Sequence, residues 1–237
     1  MTFEAVLFDA DETIFNNQGI HQIITERILE DLHLPKHLAK EVHARWDFHY
    51  FSEQAKKFDA RGFCIDQVNN TEALIKALKE FGCEIDYQQA EAFWAYTVEE
   101  FSKRSTPYPD ALETIDTLQQ KGVKMAIVSN GDKEIINLRL EKAGIKDAFA
   151  FVLAPEHAFP LSKPKPAIFQ HSLKLLEINN AKKTMFIGDN PTSDIRGANQ
   201  AGMFSVLIDR ANAFTNLEGL LKPKMKVRSL TTILELF

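Results

Sequence analysis

Five short apolar runs punctuate the chain: FEAVLF (Phe3–Phe8), KMAIV (Lys124–Val128), FAFVL (Phe149–Leu153), TMFI (Thr184–Ile187) and FSVLI (Phe204–Ile208). Each is four to six residues long and rich in β-branched or aromatic types, and several are nearly continuous rather than alternating. Runs of that kind predict strands buried on both faces, as in a parallel sheet. Helical patterns lie before the second run and between those that follow. Ala111–Gln120 sets Leu112, Ile115 and Leu118 on one stripe. Ile135–Lys142 carries Ile135, Leu138 and Leu140 and stops at Ala143-Gly144, a C-terminal signal. Ile168–Glu177 carries Ile168, Leu173, Leu175 and Leu176. Alternation of strand and helix predicts an α/β fold with right-handed crossovers.

From about Asn16 to Thr106 that rhythm is lost and no strand is expected. Ile20, Ile23, Ile24, Ile28 and Leu32 mark one helical face; Leu74, Leu78 and Phe81 a second; Tyr87, Phe93, Tyr96, Thr97 and Phe101 a third. Between the first two lies Arg45–Phe63, dense in aromatics and charges. Asn16-Asn17-Gln18-Gly19 and Pro107-Tyr108-Pro109 punctuate the ends. The division expected is a core domain from residues 1–15 and 107–237, with a helical insert over 16–106.

The 237 residues are 45% hydrophobic, enough for one large core or a core and a smaller domain. The net charge of −5 argues against a phosphate-backbone binder, so no nucleic-acid partner is expected. No apolar run approaches the roughly 20 residues that span a bilayer, and no membrane partner is expected. The first apolar run starts at Phe3 with no basic residue before it, which does not suggest a secretory leader. Cys64 and Cys83 lack C-x-x-C spacing and partner histidines, and read as two reduced thiols of a cytoplasmic protein. A monomer or homodimer is expected.

In open α/β sheets, ligands bind beyond the carboxyl ends of the strands. Four of the runs lead into polar clusters: Asp9-Ala10-Asp11-Glu12-Thr13, Ser129-Asn130-Gly131, Ser162-Lys163-Pro164-Lys165-Pro166 past a loop, and Gly188-Asp189-Asn190-Pro191-Thr192-Ser193-Asp194. Singly each is an ordinary turn; together they converge on one crevice. Asp9, Asp11 and Asp189 make a hard, oxygen-rich site that suits Mg²⁺. An EF-hand is excluded, because Ile14 stands at its glycine position and Ile20 at its glutamate position. A lysine, a hydroxyl and loop N–H groups opposite the carboxylates suit a phosphoryl group. An aspartate can attack it and form an aspartyl phosphate. Residues i and i+2 of extended chain face one side, so Asp9 and Asp11 are expected to address one phosphate.

These motifs resemble those of the haloacid dehalogenase-like superfamily of hydrolases, in subfamily I, which has a helical cap inserted after the first strand. FDADET resembles the D-x-D-x-T motif, VSN the motif that ends a strand in Ser or Thr, KPKPAIF the K-P-x-P-x-I-F form, and GDNPTSDI the G-D-x-x-x-x-D form. The likeness covers essentially the whole chain. It implies a Rossmann-like parallel-sheet core with an inserted all-helical cap domain, and phosphatase chemistry on a small phosphorylated molecule. By resemblance, Asp9 is the nucleophile and a Mg²⁺ ligand. Asp11 is the general acid/base, and its backbone carbonyl is a metal ligand. Ser129 and the N–H of Asn130 hold phosphate oxygens, Lys163 neutralises charge between nucleophile and phosphate, Asp189 completes the metal ligands, and Asp194 orients Lys163 or a metal-bound water. Lys163 is preferred over Lys165 because it precedes the P-x-P.

Two departures from the family pattern are Glu12, where Gly is commoner, and Phe159-Pro160-Leu161-Ser162 in place of a more glycine-rich approach. Glu12 implies that its turn need not adopt a glycine-only backbone angle, and a capping or pairing role is expected for it. The superfamily's dehalogenases lack the second aspartate, and halide needs no proton, so Asp11 argues against them. A sugar-phosphate mutase keeps both aspartates and stays open; a non-catalytic binding module would typically have lost one. The D-A-D-E-T form is similar to a subgroup with nucleoside monophosphatases, and sugar phosphates and phosphoglycolate stay open too. Trp46, His49, Tyr50, Lys56, Lys57 and Arg61 are the insert's candidates for substrate contact, Arg61 foremost, with packing of the insert itself as the plainer reading. His157 reads as a surface residue.

Overall fold

The computed structural model describes residues 3–61, 65–156 and 159–237, and of these all side chains except those of 55 and 58–61. Cys64, His157 and the Arg61 side chain therefore lie outside the described residues; Cys83 is a free thiol. In chain order the strands are β1 (Ala5–Phe8), β2 (Phe15–Asn16), β3 (Thr106–Pro107), β4 (Lys124–Val128), β5 (Val152–Leu153), β6 (Thr184–Gly188), β7 (Phe204–Ile208) and β8 (Met225–Val227). The helices are α1 (Ile20–Asp31), α2 (Ala39–Arg61), α3 (Asp66–Glu80), α4 (Tyr87–Arg104), α5 (Pro109–Gln120), α6 (Lys133–Lys142), α7 (Pro166–Leu175) and α8 (Arg196–Gln200).

The chain divides into two compact units, one of residues 1–16, 106–155 and 161–237, the other of 17–105 and 156–160. The first is an α/β, Rossmann-like unit. Its six-stranded sheet runs β5-β4-β1-β6-β7-β8 with every pairing parallel. All four residues of β1 are buried, as a central parallel strand requires. Val6, Phe8, Ile127, Ile187 and Val206 pack with Ile115 and Leu118 of α5 and Ile136 and Leu140 of α6 in one core. Phe8 faces Ile127 on one side and Ile187 on the other. That register brings the carboxyl ends of β1, β4 and β6 level, so the residues that follow them share one rim.

The apolar runs foretell most of this sheet, with three differences. The third run shrinks to Val152–Leu153, because Phe149 turns inward to stack edge-on against Phe8 at 6.1 Å. β8 went unforeseen: it is an edge strand of three residues in which only Val227 is buried. Asn16 and Thr106, expected to lie in strandless chain, pair in the short antiparallel β2–β3 ladder.

The second unit is helical among the described residues. Ile20, Ile24, Ile28 and Leu29 of α1, Ala73, Leu74, Ala77 and Leu78 of α3, and Trp94 and Phe101 of α4 are buried. Asp86 and Gln89 form a capping box that starts α4. The aromatic, charge-rich segment is one continuous helix of 23 residues, α2, which buries Val42 and Trp46 while Phe48 and Phe51 stay exposed. The named candidates of this unit bond within it. Trp46 Nε1 donates to the Asn70 carbonyl at 3.1 Å, His49 meets Glu80 at 2.7 Å, and the Tyr50 hydroxyl donates to Asp66 at 2.7 Å. Lys56 pairs with Glu53 at 2.8 Å, and Lys57 with Glu72 at 2.7 Å and Asn69 at 3.1 Å.

Candidate active site

Asp9 directly follows β1, and its N–H donates to the Ile187 carbonyl of β6 at 2.8 Å, which extends the ladder by one residue. The side chain is therefore delivered to the rim and buried there. Lys163 reaches it from the loop before α7: Nζ lies 2.6 Å from Asp9 Oδ1 and 2.8 Å from Asp194 Oδ1. Lys163 and Asp194 are among the most buried charged groups, at 2% and 0% side-chain exposure. Buried charges persist when paired and fully hydrogen-bonded. Asp194 meets that demand, because Oδ2 accepts the Asn190 N–H at 3.0 Å and Oδ1 accepts the Ser193 hydroxyl at 3.2 Å. Lys165 is exposed, which agrees with Lys163 as the preferred lysine.

Gly188 explains how Asp194 returns to the rim. A Cβ there would lie 2.2 Å from Asp194 Oδ2, so only glycine at the end of β6 leaves room for the carboxylate. The turn that carries Asp194 is capped by Asn190, whose Oδ1 accepts the N–H groups of Thr192 at 2.8 Å and Ser193 at 3.1 Å.

Carboxylate oxygens of Asp9, Asp189 and Asp194 lie within 4.8 Å of one another. Burial pushes Asp9 up to about 6; Lys163 opposes the shift, while Asp194 and Asp11 add to it. Desolvation, then the charges of Asp194 and Asp9, lift Asp189 well above the ordinary carboxylate range. Burial would lower Lys163, but Asp194 and Asp9 outweigh it and raise the ammonium above its usual value. Three carboxylates thus share one ammonium, and the remaining negative charge favours a second cation. The donors are all oxygens, and that set fits Mg²⁺. Asp194's oxygens already serve Lys163, Asn190 and Ser193, which leaves Asp9 and Asp189 as the better side-chain ligands.

Asp11 behaves differently. Its carboxylate is not in the Asp9–Asp189–Asp194 group, so any part in metal binding falls to its backbone carbonyl. Arg139 of α6 holds Oδ1 at 2.7 Å instead. The i, i+2 expectation for Asp9 and Asp11 is thus met only in part, because the chain bends at Ala10 between them. Glu12 has φ +52°, in the left-handed region, which corrects the expectation drawn from a non-glycine residue there. Its side chain accepts the Tyr108 hydroxyl at 2.8 Å, the pairing role expected of it.

Ser129 follows β4, and its N–H donates to the Leu153 carbonyl at 3.0 Å. Its Oγ accepts the Gly131 N–H at 3.1 Å, which leaves the hydroxyl proton for another acceptor. Asn130's amide ties down Lys163's backbone: Nδ2 donates to the Lys163 carbonyl at 2.9 Å, and Oδ1 accepts the Lys163 N–H at 2.8 Å. That pair of hydrogen bonds between two loops of the rim was not foreseen. Arg139 was also missed. The signal available for it was a basic residue on the stripe Ile135, Ile136, Arg139 and Leu140, all four of which are buried.

The family model of haloacid dehalogenase-like hydrolases matches residues 3–202. The chain is 35% identical over 120 residues to ribulose-1,5-bisphosphate 5-phosphatase of Halopiger xanaduensis, a match covering 50% of this chain and 47% of that protein, about half its length. It is 26% identical over 208 residues to glyceraldehyde 3-phosphate phosphatase of Methanopyrus kandleri, covering 87% and 84%. The solved HAD-hydrolase YfnB of Bacillus subtilis, bound to magnesium, superposes with a TM-score of 0.82 at 22% identity, over 99% of this chain and 98% of that one. An L-2-haloacid dehalogenase of Xanthobacter autotrophicus shares the fold too, with TM-score 0.76, 23% identity and 99% and 98% coverage. With the family model spanning most of the chain, the protein belongs to the haloacid dehalogenase-like hydrolases.

Proposed function

We propose that the protein is a Mg²⁺-dependent phosphomonoester hydrolase that works through an aspartyl phosphate on Asp9. The observation that carries this reading is the buried Lys163, shared between Asp9 and Asp194 at one rim with Asp189, in a chain that also keeps Asp11. An Asp9 carboxylate oxygen attacks phosphorus and the ester P–O bond breaks. The departing oxygen takes its proton from Asp11. Asp11, now a carboxylate, takes a proton from water, whose oxygen attacks the phosphorus of the aspartyl phosphate. The P–O bond to Asp9 breaks, releasing inorganic phosphate and restoring the carboxylate. Ser129 Oγ and the Asn130 N–H serve the phosphate's other oxygens, while Lys163 offsets the charge of Asp9 as an anion approaches. Asp9, Asp189 and the Asp11 carbonyl would hold Mg²⁺, which when bound reduces repulsion between carboxylate and phosphate.

Asp11 separates this reading from dehalogenation, since an alkoxide needs a proton and a halide does not. The substrate we assign is a small phosphorylated metabolite: a nucleoside monophosphate, a sugar phosphate or phosphoglycolate. The two relatives above are named for sugar phosphates, which supports that class. The test is release of inorganic phosphate across a panel of the three classes with Mg²⁺. Asp9→Asn is expected to abolish release, because an amide is a poor nucleophile and a poor ligand. Full activity in Asp9→Asn, or after chelation of divalent metal, would overturn the mechanism. Isomerisation of a sugar phosphate without phosphate release would make the protein a mutase instead.

A further inference from the structure

Arg139 is buried on α6 to 2% side-chain exposure, 128 residues along the chain from the carboxylate it holds. A guanidinium is expensive to bury unless it is paired, and the partner here, Asp11, is 38% exposed, so the pair runs from the core to the rim. Arg139 touches the turn after β1 at both ends. Its Nη1 donates to Asp11 Oδ1 at 2.7 Å, and its guanidinium lies over the Phe15 ring, 4.7 Å from the centroid. The turn itself is closed, because the N–H groups of Ile14 and Phe15 both donate to the Ala10 carbonyl at 3.0 Å. Asp11 Oδ2 has a different neighbour. A Cβ placed on Gly131 would lie 3.0 Å from it and 3.5 Å from Ser129 Oγ, so Oδ2 and the Ser129 hydroxyl flank the same point above Gly131.

We propose that Arg139 is a positioning residue for Asp11: by holding Oδ1 it sets the carboxylate so that Oδ2 stands at the Ser129–Gly131 loop, where the phosphate is bound. The proposal rests on the reading of Asp11 as proton donor and acceptor. It assigns Arg139 no contact with substrate. Proton transfer at the leaving oxygen demands an acid held within hydrogen-bond reach, and a carboxylate on a short turn has rotamers that miss it.

The experiment is a double-mutant cycle that follows phosphate release from glycerol 3-phosphate, whose alkoxide leaving group needs a proton, with Mg²⁺, using Arg139→Met, Arg139→Lys, Asp11→Asn and the pairs. Arg139→Met is expected to lower kcat by about 10-fold or more, within the span of general acid–base effects, and to leave KM within about 3-fold. Arg139→Lys, which keeps charge and length, is expected to restore part of that loss. In the Asp11→Asn background the Arg139 effect should shrink to about 2-fold or less, since nothing is left to position. A kcat loss of equal size in both backgrounds, or wild-type kcat in Arg139→Met, would overturn the proposal and leave the hydrolase reading standing. Full turnover in Asp11→Asn alone would remove the acid–base reading and the proposal with it. Should Arg139→Met fail to melt cooperatively, Arg139→Lys carries the same cycle, with the same dependence on Asp11 expected.

Discussion

Glu12 shows how one side chain sustains a backbone that glycine would adopt at less cost. A left-handed φ costs a non-glycine residue roughly 1 kcal/mol. The carboxylate offsets this by accepting the Tyr108 hydroxyl. Burial, then the bond to Glu12, raises Tyr108 above its usual range, so it stays a donor. Arg210 covers the Tyr108 ring, 3.7 Å from its centroid, and donates to Asp110 at 2.8 Å and to the Thr13 carbonyl at 2.9 Å. Glu12 therefore ends a chain of contacts that braces the turn without entering the carboxylate group. Glu12→Gly relieves the backbone and loses one hydrogen bond, effects of about 1 kcal/mol each and opposite in sign. Its melting temperature is expected to change little and its turnover by no more than a few-fold. Steady-state kinetics showing a loss as large as that of Asp9→Asn would place Glu12 in the chemistry.

At the scale of elements, the site depends on what the strand ends permit. β1 and β6 run in register with Phe8 opposite Ile187, so Asp9 and Asp189 both follow strand ends at one rim, but Asp194 returns to the rim only because Gly188 presents no side chain. Gly188→Ala is expected to destabilise the fold by about 1–3 kcal/mol through overpacking, and to displace Asp194 from Lys163. Urea denaturation checks the first effect. A variant as stable as the parent would mean that the turn 190–195 yields easily. The α2 helix illustrates a limit of pattern reading. Its apolar residues fall on more than one face, with Trp46 buried and Phe48 and Phe51 exposed, so no single stripe announces it. β8 was illegible for the opposite reason, since three residues at a sheet edge need bury only one side chain.

At the scale of the molecule, the crowded carboxylates tie the charge state of the rim to the stability of the fold. Asp9 carries a proton more readily when folded, at about 6 against an ordinary 3.8. A raised carboxylate pKa means that the folded form holds the extra proton between those values. In metal-free protein this group's contribution to stability therefore falls as pH rises through that window, and Asp189 acts in the same direction. A bound cation reverses the balance by favouring the ionised carboxylates. Mg²⁺ at a hundred times its Kd is expected to stabilise the protein by about 2.7 kcal/mol. The rise in melting temperature should be larger at about pH 7 than at about pH 5, where the proton on Asp9 competes. Calorimetric scans with and without Mg²⁺ check this, and Asp189→Asn should lose most of the rise. A shift that is the same at both pH values would mean that Asp9 is not a ligand.

Along the chain, continuous apolar runs determined the parallel sheet, because strands buried on both faces leave no polar alternation to misread. Carboxylates, hydroxyl and lysine placed after those runs determined the candidate site, because open sheets bind ligands at that rim. What the sequence could not contain is the rotamer each group takes. Asp9 and Asp11, two residues apart, are drawn to different partners: one to Lys163 beside Asp189 and Asp194, the other to Arg139. Those cations arrive from α6 and from the loop before α7, far along the chain, and their pairing depends on long-range packing that no local pattern encodes. Only the tertiary structure decided which carboxylate joins the cation cluster and which is held apart.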